Sequence, residues 1–248
     1  MKWIKALNLQ QWADSIPAKV IFPALIADLI RATANNITEI RFPNGDKGQI
    51  RGYDGVLKAE GEGPYVPDGD SFWEFGVNEK LLDKANSDYE KRTREVAPEI
   101  RLKTTFVFAS LRTWDNPKVK LEDWLQEKRS SGKWKDIKLI DGSMLEDWLG
   151  VCPAVAAYYA RYHLELMPQV GVRSIKEFWD EFSTKFSPPL TEAVLLAGRE
   201  KQKERFLNEL RENGRKISLA ADSPDEVIAF AIAAIRTDLP PGLDTTVS

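Results

Sequence analysis

Two acidic residues, Asp54 and Glu74, stand in neighbouring predicted strands that are separated by a turn region rich in glycine and proline. Glu74 lies among aromatic residues in the run DGDSFWEFG, and Asp54 lies in the run QIRGYDGVLKAE. If these strands pair in antiparallel fashion, both carboxylates can point into one cleft at the edge of the sheet. Carboxylate oxygens are ligands that Mg²⁺ prefers, and a bound cation activates water and neutralises phosphate charge. The spacing therefore indicates metal-assisted chemistry on a phosphate.

Lys84 is the candidate for a third functional group, because the helix predicted after Glu74 can carry it back over the two acids. Its amine could orient the attacking water or stabilise the leaving charge. A structural role stays open for each residue. Asp-Gly is a common turn dipeptide, Glu74 could be exposed or paired with an arginine, and Lys84 is one of many lysines on helix faces.

Composition excludes several other kinds of site. The chain has 248 residues, of which 43% are hydrophobic and 29% charged, as is ordinary for a soluble globular protein. The single cysteine, Cys152, excludes a disulfide framework and a cysteine-based zinc site, and a Ser-His-Asp triad would depend on His163 alone. A single thiol without a secretory signal favours the cytoplasm. No apolar run approaches the roughly 18–20 residues that span a bilayer, so no membrane partner is expected.

The net charge of −3 does not indicate a nucleic-acid-binding protein, although the local field decides such binding. Two segments concentrate positive charge, and each could be a solvated face or a surface for phosphates. The first segment contains Lys118, Lys120, Lys128, Arg129, Lys133, Lys135 and Lys138. The second segment contains Lys91, Arg92, Arg94, Arg101 and Lys103.

Hydrophobic periodicity and turn signals predict an α/β domain over residues 1–166, with a sheet covered by helices on its faces. Asn35 and Asn36 are predicted to end the first helix, while Asn78 and Ser143 are predicted to cap later ones. Strands are predicted at 37–42, 49–60, 71–77, 104–111 and 134–141, and helices at 17–34, 78–96, 121–132, 143–149 and 153–164.

Residues 167–248 are predicted to form a smaller, mainly helical region with one short strand at 215–222. Its last helix is predicted to begin at Pro224 behind a Ser223 cap, and a polar, proline-rich tail follows. This region looks like the start of something larger, so the chain is expected to be a piece of a longer protein. No G-x-x-x-x-G-K-[ST] motif occurs, so an ATPase would have to lie outside these residues.

Several ordered blocks between about residues 17 and 165 resemble a known nuclease family. These blocks are RFPNGDKGQIRGYDGV, YVPDGDSFWEFG, KANSDYEKRT, FVFASLRTWDNP, GKWKDIKLIDGSMLEDWL and CPAVAAYYARYH. They resemble the restriction-endonuclease-like (PD-(D/E)XK, Mrr-like) domain found at the N-terminus of some large bacterial proteins, many of them antiviral STAND NTPases of the Avs group. The resemblance implies a mixed sheet flanked by helices. The second region resembles the connector that joins such domains to a regulatory part.

The resemblance assigns roles to individual residues. Asp54 takes the place of the first acid of the motif and Glu74 that of the second. With the backbone carbonyl of Phe75, these two would hold Mg²⁺ or Mn²⁺. Gly76 stands where the family usually has its lysine, and Lys84 on the following helix fits the pattern of a lysine that has moved. Asp54, Glu74 and Lys84 are therefore the expected catalytic residues.

The superfamily often has a further acid on its first helix. This chain has Ala24 where that acid would be expected, and Asp28 one turn later or Glu39 are the open alternatives. Asp88 and Tyr89 belong to a block that could line the path of the nucleic acid. Contacts to the sugar–phosphate backbone of DNA are expected from the side chains of Lys91, Arg92, Arg112, Lys133 and Lys135.

These features together predict a magnesium-dependent endonuclease that cuts double-stranded DNA in antiviral defence. Activity would be held off until the parent protein assembles several such domains into a homo-oligomer. The alternative is a degenerate nuclease fold that serves as a nucleic-acid-binding or assembly module, which Gly76 at the usual lysine position favours. An enzyme acting on a small nucleotide ranks last, because few glycine-rich phosphate loops are visible.

Overall fold

The structure, a computed structural model, describes residues 3–42, 53–61, 63–166, 173, 175–211 and 217–238. The chain divides into two compact units, Met1–Pro168 and Gln169–Ser248. This division falls two residues after the boundary expected from the sequence. The turn expected at 43–48, the first part of the strand expected at 49–60 and the tail at 239–248 lie outside the described residues.

The first unit is an α/β domain with a five-stranded mixed sheet in the order β1-β2-β3-β4-β5. The strands are β1 (Asn35–Arg41), β2 (Gly55–Glu60), β3 (Gly69–Gly76), β4 (Thr105–Ser110) and β5 (Asp136–Ile140). The helices are α1 (Ala6–Ala13), α2 (Ile16–Thr33), α3 (Leu81–Glu95), α4 (Pro98–Arg101), α5 (Leu121–Ser130), α6 (Gly142–Val151) and α7 (Pro153–Tyr162). The pairs β1–β2 and β2–β3 are antiparallel, whereas β3–β4 and β4–β5 are parallel. The general α/β class predicted from the sequence is confirmed.

Both faces of the sheet are covered by helices, which explains the dense apolar strands. Every residue of β4, with the sequence TFVFAS, is buried, as expected for a central strand between parallel or mixed neighbours. On one face, α1, α2, α6 and α7 pack on residues that include Trp73 of β3. On the other face, α3 and α5 pack on residues that include Phe106 and Phe108 of β4. Alternation along β3 therefore sends Trp73 to one core and Phe72 to the other.

Helix α3 carries an apolar and a charged stripe side by side. Leu81, Ala85 and Tyr89 recur every four residues and are buried against the sheet. The charged residues of the second stripe, Lys84, Asp88 and Arg92, have the same spacing, and two of them are buried as well. The solvent-exposed fraction is 6% for Asp88 and 5% for Arg92. This charged stripe faces the end of β3 and forms one wall of the site described below.

Several elements begin or end at residues other than those predicted, and one helix was missed. Helix α2 ends at Thr33, so that β1 already begins at Asn35. The expected Asn78 cap is wrong, because α3 begins at Leu81 behind Lys80 without a side-chain cap. The Ser143 cap is also wrong. Asp141 caps α6 instead, and its carboxylate accepts hydrogen bonds from the backbone N–H groups of Ser143 and Met144. Helix α1 was not predicted.

The second unit is helical within its described residues. Its helices are α8 (Ile175–Ser183), α9 (Glu192–Leu196), α10 (Glu200–Arg211) and α11 (Pro224–Asp238). They share a core that includes Trp179, Phe206 and Phe230. The strand predicted at 215–222 is wrong over its described part, since residues 217–221 form neither strand nor helix. Across both units, no described helix combines the length and apolar character that crossing a bilayer requires.

Candidate functional site

Asp54 lies directly before β2, at the point where that strand meets the end of β3. Gly55 pairs with Trp73 and Val56 with Phe72. Continuing this register by one residue puts Asp54 opposite Glu74, and opposite residues of an antiparallel pair lie on the same face. A hydrogen bond fixes the position, because the backbone N–H of Phe75 donates to Oδ2 of Asp54 at 3.2 Å. Asp54 is thus held at the carboxyl end of β3.

Glu74 is buried, with 2% of its area exposed, and it is paired with an arginine. Nε of Arg92 donates a hydrogen bond to Oε1 of Glu74. Nη1 of the same guanidinium donates to Oε2 of Glu95 at 2.7 Å. The ring of Tyr53 lies 5.6 Å from the guanidinium carbon, which is within range of a cation–π contact. Of the structural alternatives left open for Glu74, the structure therefore shows the arginine pair.

The electrostatics of Glu74 reflect its burial and its acidic neighbours. The pKa of Glu74 is raised from 4.5 to about 7, chiefly by burial, and the hydrogen bond from Arg92 opposes this rise. The negative charges of Asp54 and Asp88 contribute to the rise. Three carboxylates are therefore close enough to affect one another through a poorly solvated region. Perturbed carboxylates of this kind occur both at functional sites and in structural ion-pair networks.

Lys84 reaches the same end of β3 from α3. Its Nζ donates a hydrogen bond to Oδ1 of Asp88 at 2.8 Å. A Cβ atom on Gly76 would lie only 2.6 Å from Cζ of Phe108 and 3.3 Å from Cγ of Lys84. The stem of Lys84 and the ring of Phe108 thus close the space that a side chain at position 76 would need. Position 76 itself carries no side chain, and α3 brings the aliphatic stem of Lys84 to its immediate neighbourhood.

Asp88 is the residue of the site that sequence reasoning assigned only to a nucleic-acid path. Its Oδ2 is buried and has no hydrogen-bond partner among the described residues. Burial raises the pKa of Asp88, while the hydrogen bond from Lys84 lowers it. A buried acceptor without a partner costs about 1–3 kcal/mol. Its place beside Lys84 and Arg92 was signalled by the four-residue spacing along α3, a signal that was available in the sequence.

The residues expected to contact DNA fall into two groups. Lys91, Lys133 and Lys135 are exposed, although Nζ of Lys135 donates to the carbonyl of Asp68 at 2.9 Å. The expectation that Arg92 and Arg112 face DNA is wrong, because both side chains are buried and bound within the protein. Arg112 donates to the carbonyl of Val77 at 2.8 Å and pairs with Asp14, so its charge stabilises the fold instead of facing a phosphate.

Neither alternative for a further acid is bonded to the candidate site. Oδ2 of Asp28 accepts a hydrogen bond from the hydroxyl of Tyr159 at 2.9 Å, and Oδ1 is paired with Arg31 at 2.9 Å. Glu39 is paired with Arg41 at 2.9 Å on β1. Both acids therefore have local partners that account for them without any role at the end of β3.

The site offers the right donor types for a hard divalent cation but not the right arrangement. Asp54, Glu74 and the carbonyl of Phe75 are oxygen donors on adjacent strands, as Mg²⁺ prefers. Glu74, however, has an oxygen bound by Arg92. Within the described ranges, no group of three or more acidic, histidine or cysteine side chains is arranged to hold a metal ion.

No protein-family model, curated protein or solved structure matches this chain.

Proposed function

We propose that the first unit is a divalent-metal-dependent endonuclease domain that hydrolyses phosphodiester bonds of double-stranded DNA. The observation that carries this proposal is the convergence of Asp54, Glu74 and Lys84 at the carboxyl end of β3. Asp54 hydrogen bonds to the residue that follows Glu74. The stem of Lys84 lies against Gly76, two residues after Glu74. Two acids and an amine so placed are the groups that metal-assisted phosphodiester hydrolysis needs.

The fold gives this proposal a second support. A mixed sheet flanked by helices on both faces is what the resemblance to restriction-endonuclease-like domains implies. We propose that finer assignment for residues 1–166 and a connector role for residues 167–248. The defence function and the assembly of several domains into a homo-oligomer through a longer parent protein rest on the same resemblance.

The proposed cofactor is Mg²⁺ or Mn²⁺, with Asp54, Glu74 and the carbonyl of Phe75 as ligands. The donor types fit this ion, but the present arrangement does not, since Arg92 binds Glu74. The chain itself provides a part-buried amine–carboxylate pair, in which the buried Asp88 holds the ammonium of Lys84 at 2.8 Å. An ammonium fixed in this way can orient a water molecule or stabilise a leaving oxygen.

DNA would be bound mainly through its phosphates. The exposed side chains of Lys91, Lys133 and Lys135 are the remaining candidates for these contacts. Binding that depends on lysines and phosphates weakens steeply as salt increases, because counterions are released from the DNA.

A plasmid-nicking assay tests the proposal directly. The wild type is compared with Asp54→Ala and Glu74→Ala, each with Mg²⁺, with Mn²⁺ and with EDTA. We expect nicking by the wild type that EDTA abolishes and that each substitution lowers at least about a hundredfold, as for loss of a metal ligand. Equal nicking by all three proteins would show that the site lies elsewhere.

A second candidate, a binding or assembly module without catalysis, is favoured by the Glu74–Arg92 pair. A buried, hydrogen-bonded pair of this kind is a common structural solution for a charge within a core. This alternative predicts no nicking under any metal condition, even when the parent protein is activated, together with DNA binding that EDTA does not change. A gel-shift measurement with and without EDTA separates the two functions.

A further inference from the structure

We propose that Arg92 is an internal cation that keeps the site closed, and that a divalent cation binds only when the guanidinium leaves Glu74. This inference rests on the proposed function, since it concerns the metal site of that function. It explains why the site has the donor types that a divalent cation prefers without the arrangement that would hold one. Sequence reasoning placed Arg92 on a DNA-binding surface, and nothing in that reading linked it to Glu74.

Several contacts hold the Arg92 side chain in place. The side chain is 7% exposed, and the Glu74 side chain that it meets is 3% exposed. The guanidinium bonds to two carboxylates at once, with Nε on Glu74 and Nη1 on Glu95. The ring of Tyr53 lies beside it at 5.6 Å and is itself stacked on Phe72 of β3, with ring centroids 3.9 Å apart. Arg92 is thus held by the acid proposed as a metal ligand, and not by chance at a solvated surface.

The charges explain why the guanidinium and a divalent cation exclude each other. Arg92 supplies one positive charge at Glu74, and Lys84 supplies another at Asp88. A divalent cation held by Glu74 would stand next to the guanidinium in a region where water screens charge poorly. It would also compete with Nε of Arg92 for the Glu74 carboxylate, whose Oε1 accepts that hydrogen bond. Metal binding and the Arg92–Glu74 hydrogen bond are therefore competing states of the same acid.

The contacts of Arg92 include one on the solvent side. Glu95 ends α3, and its side chain is 48% exposed, in contrast to the buried Glu74. A guanidinium that leaves Glu74 can therefore stay close to the carboxylate of Glu95, which Nη1 already contacts. Two such arrangements differ by one buried hydrogen bond, so a bound cation can favour the open one.

Mn²⁺ binding to the full 248-residue chain, measured by calorimetry without DNA, tests this inference. Arg92→Met removes the charge and keeps an unbranched apolar stem, whereas Arg92→Lys keeps the charge. We expect Arg92→Met to bind Mn²⁺ at least about tenfold more tightly than the wild type, and Arg92→Lys to stay within about threefold of it. Arg94→Met, which removes an exposed charge from the same helix, should change the affinity less than about twofold. Adding Glu74→Gln to Arg92→Met should remove the gain.

Unchanged or weaker Mn²⁺ binding by Arg92→Met would overturn the inference, as would an equal gain in Arg92→Lys. Should Arg92→Met fail to fold, the wild type gives an independent test by NMR. The Nε–H signal of Arg92 should move on Mg²⁺ addition, and an unmoved signal at saturating Mg²⁺ overturns the inference. Tighter Mn²⁺ binding by Arg92→Met without any nicking would support the closing role of Arg92 and reject the proposed nuclease function. Nicking by the wild type with unchanged affinity in Arg92→Met would reject the closing role of Arg92 alone.

Discussion

The aliphatic stem of Lys84 lies where a side chain on Gly76 would stand, with Cγ 3.3 Å from the position of a Cβ atom at residue 76. The ring of Phe108 closes the same space from β4. A long side chain two residues after Glu74 would therefore clash with this packing. Gly76 and the stem of Lys84 are one packing solution.

Substitution of Gly76 should accordingly destabilise the first unit. Gly76→Ala would bring its methyl group to 2.6 Å from Phe108, and overpacking of this kind costs about 1–3 kcal/mol. Urea unfolding measures the loss in free energy. The double substitution Gly76→Ala with Phe108→Leu should lose less than the sum of the two single ones, because the smaller residue makes room. Strict additivity would contradict the contact.

Loss of the Lys84 amine should affect both stability and activity. Lys84→Met leaves Asp88 buried without its ammonium partner, and breaking such a pair costs about 1–3 kcal/mol. Plasmid nicking should fall at least about a hundredfold if the amine acts on the reacting groups. Lys91→Met, an exposed lysine on the same helix, should change stability by less than about 0.5 kcal/mol. A Lys84→Met protein with full activity would remove Lys84 from the proposed site.

The burial of Glu74 predicts a pH dependence of stability. Its pKa is raised from 4.5 to about 7 in the folded protein, so the native state binds more protons than the unfolded state between these values. The contribution of Glu74 to the free energy of unfolding is therefore fully present below pH 4.5 and is lost as pH rises through 7, by up to about 3 kcal/mol. Denaturant unfolding of wild type and Glu74→Gln from pH 4.5 to 8 isolates this contribution, since the difference between the two proteins should shift in favour of Glu74→Gln as pH rises. The exposed Glu90→Gln should leave the slope of the wild type unchanged, and parallel curves for Glu74→Gln would contradict the raised pKa.

Asp28 should behave as a structural acid. Tyr159 is buried and donates its hydroxyl to Asp28 at 2.9 Å, so Tyr159→Phe should lower the free energy of unfolding by about 1–2 kcal/mol. If the wild type nicks plasmid, Asp28→Asn should nick within about twofold of it, whereas Asp54→Asn should lose at least about a hundredfold. A large loss of nicking in Asp28→Asn would return that residue to the site.

The elements that position the site could be predicted from the sequence, because their burial is periodic. The run TTFVFASL is short, apolar and β-branched, and it forms β4, while SFWEFGV forms most of β3. The helix predicted over 78–96 forms α3, whose buried residues Leu81, Ala85 and Tyr89 recur every four residues. Each of these patterns depends on local spacing, which a single sequence contains.

The partners of charged residues could not be predicted in the same way. An arginine such as Arg92 on a highly charged helix looks solvated, and only the packing of α3 on β3 reveals that it meets Glu74. The cap of α6 could not be predicted for a related reason. Asp141 and Ser143 are both good capping residues, and the choice between them depends on where β5 ends. The segment around Leu219 contains apolar residues, but no neighbouring strand is available to it in the described part of the second unit.

Strand β3 has an antiparallel neighbour on one side and a parallel neighbour on the other, and all of β4 beside it is buried. Amide protons in the middle of such a sheet exchange with solvent only when the whole domain opens, whereas those near the end of α3 can exchange through local fraying. Glu74 thus lies on a strand with neighbours on both sides, whereas Lys84, Asp88 and Arg92 lie on one helix packed against it. Substitutions that change the electrostatics of this site are therefore best sought along the charged stripe of α3.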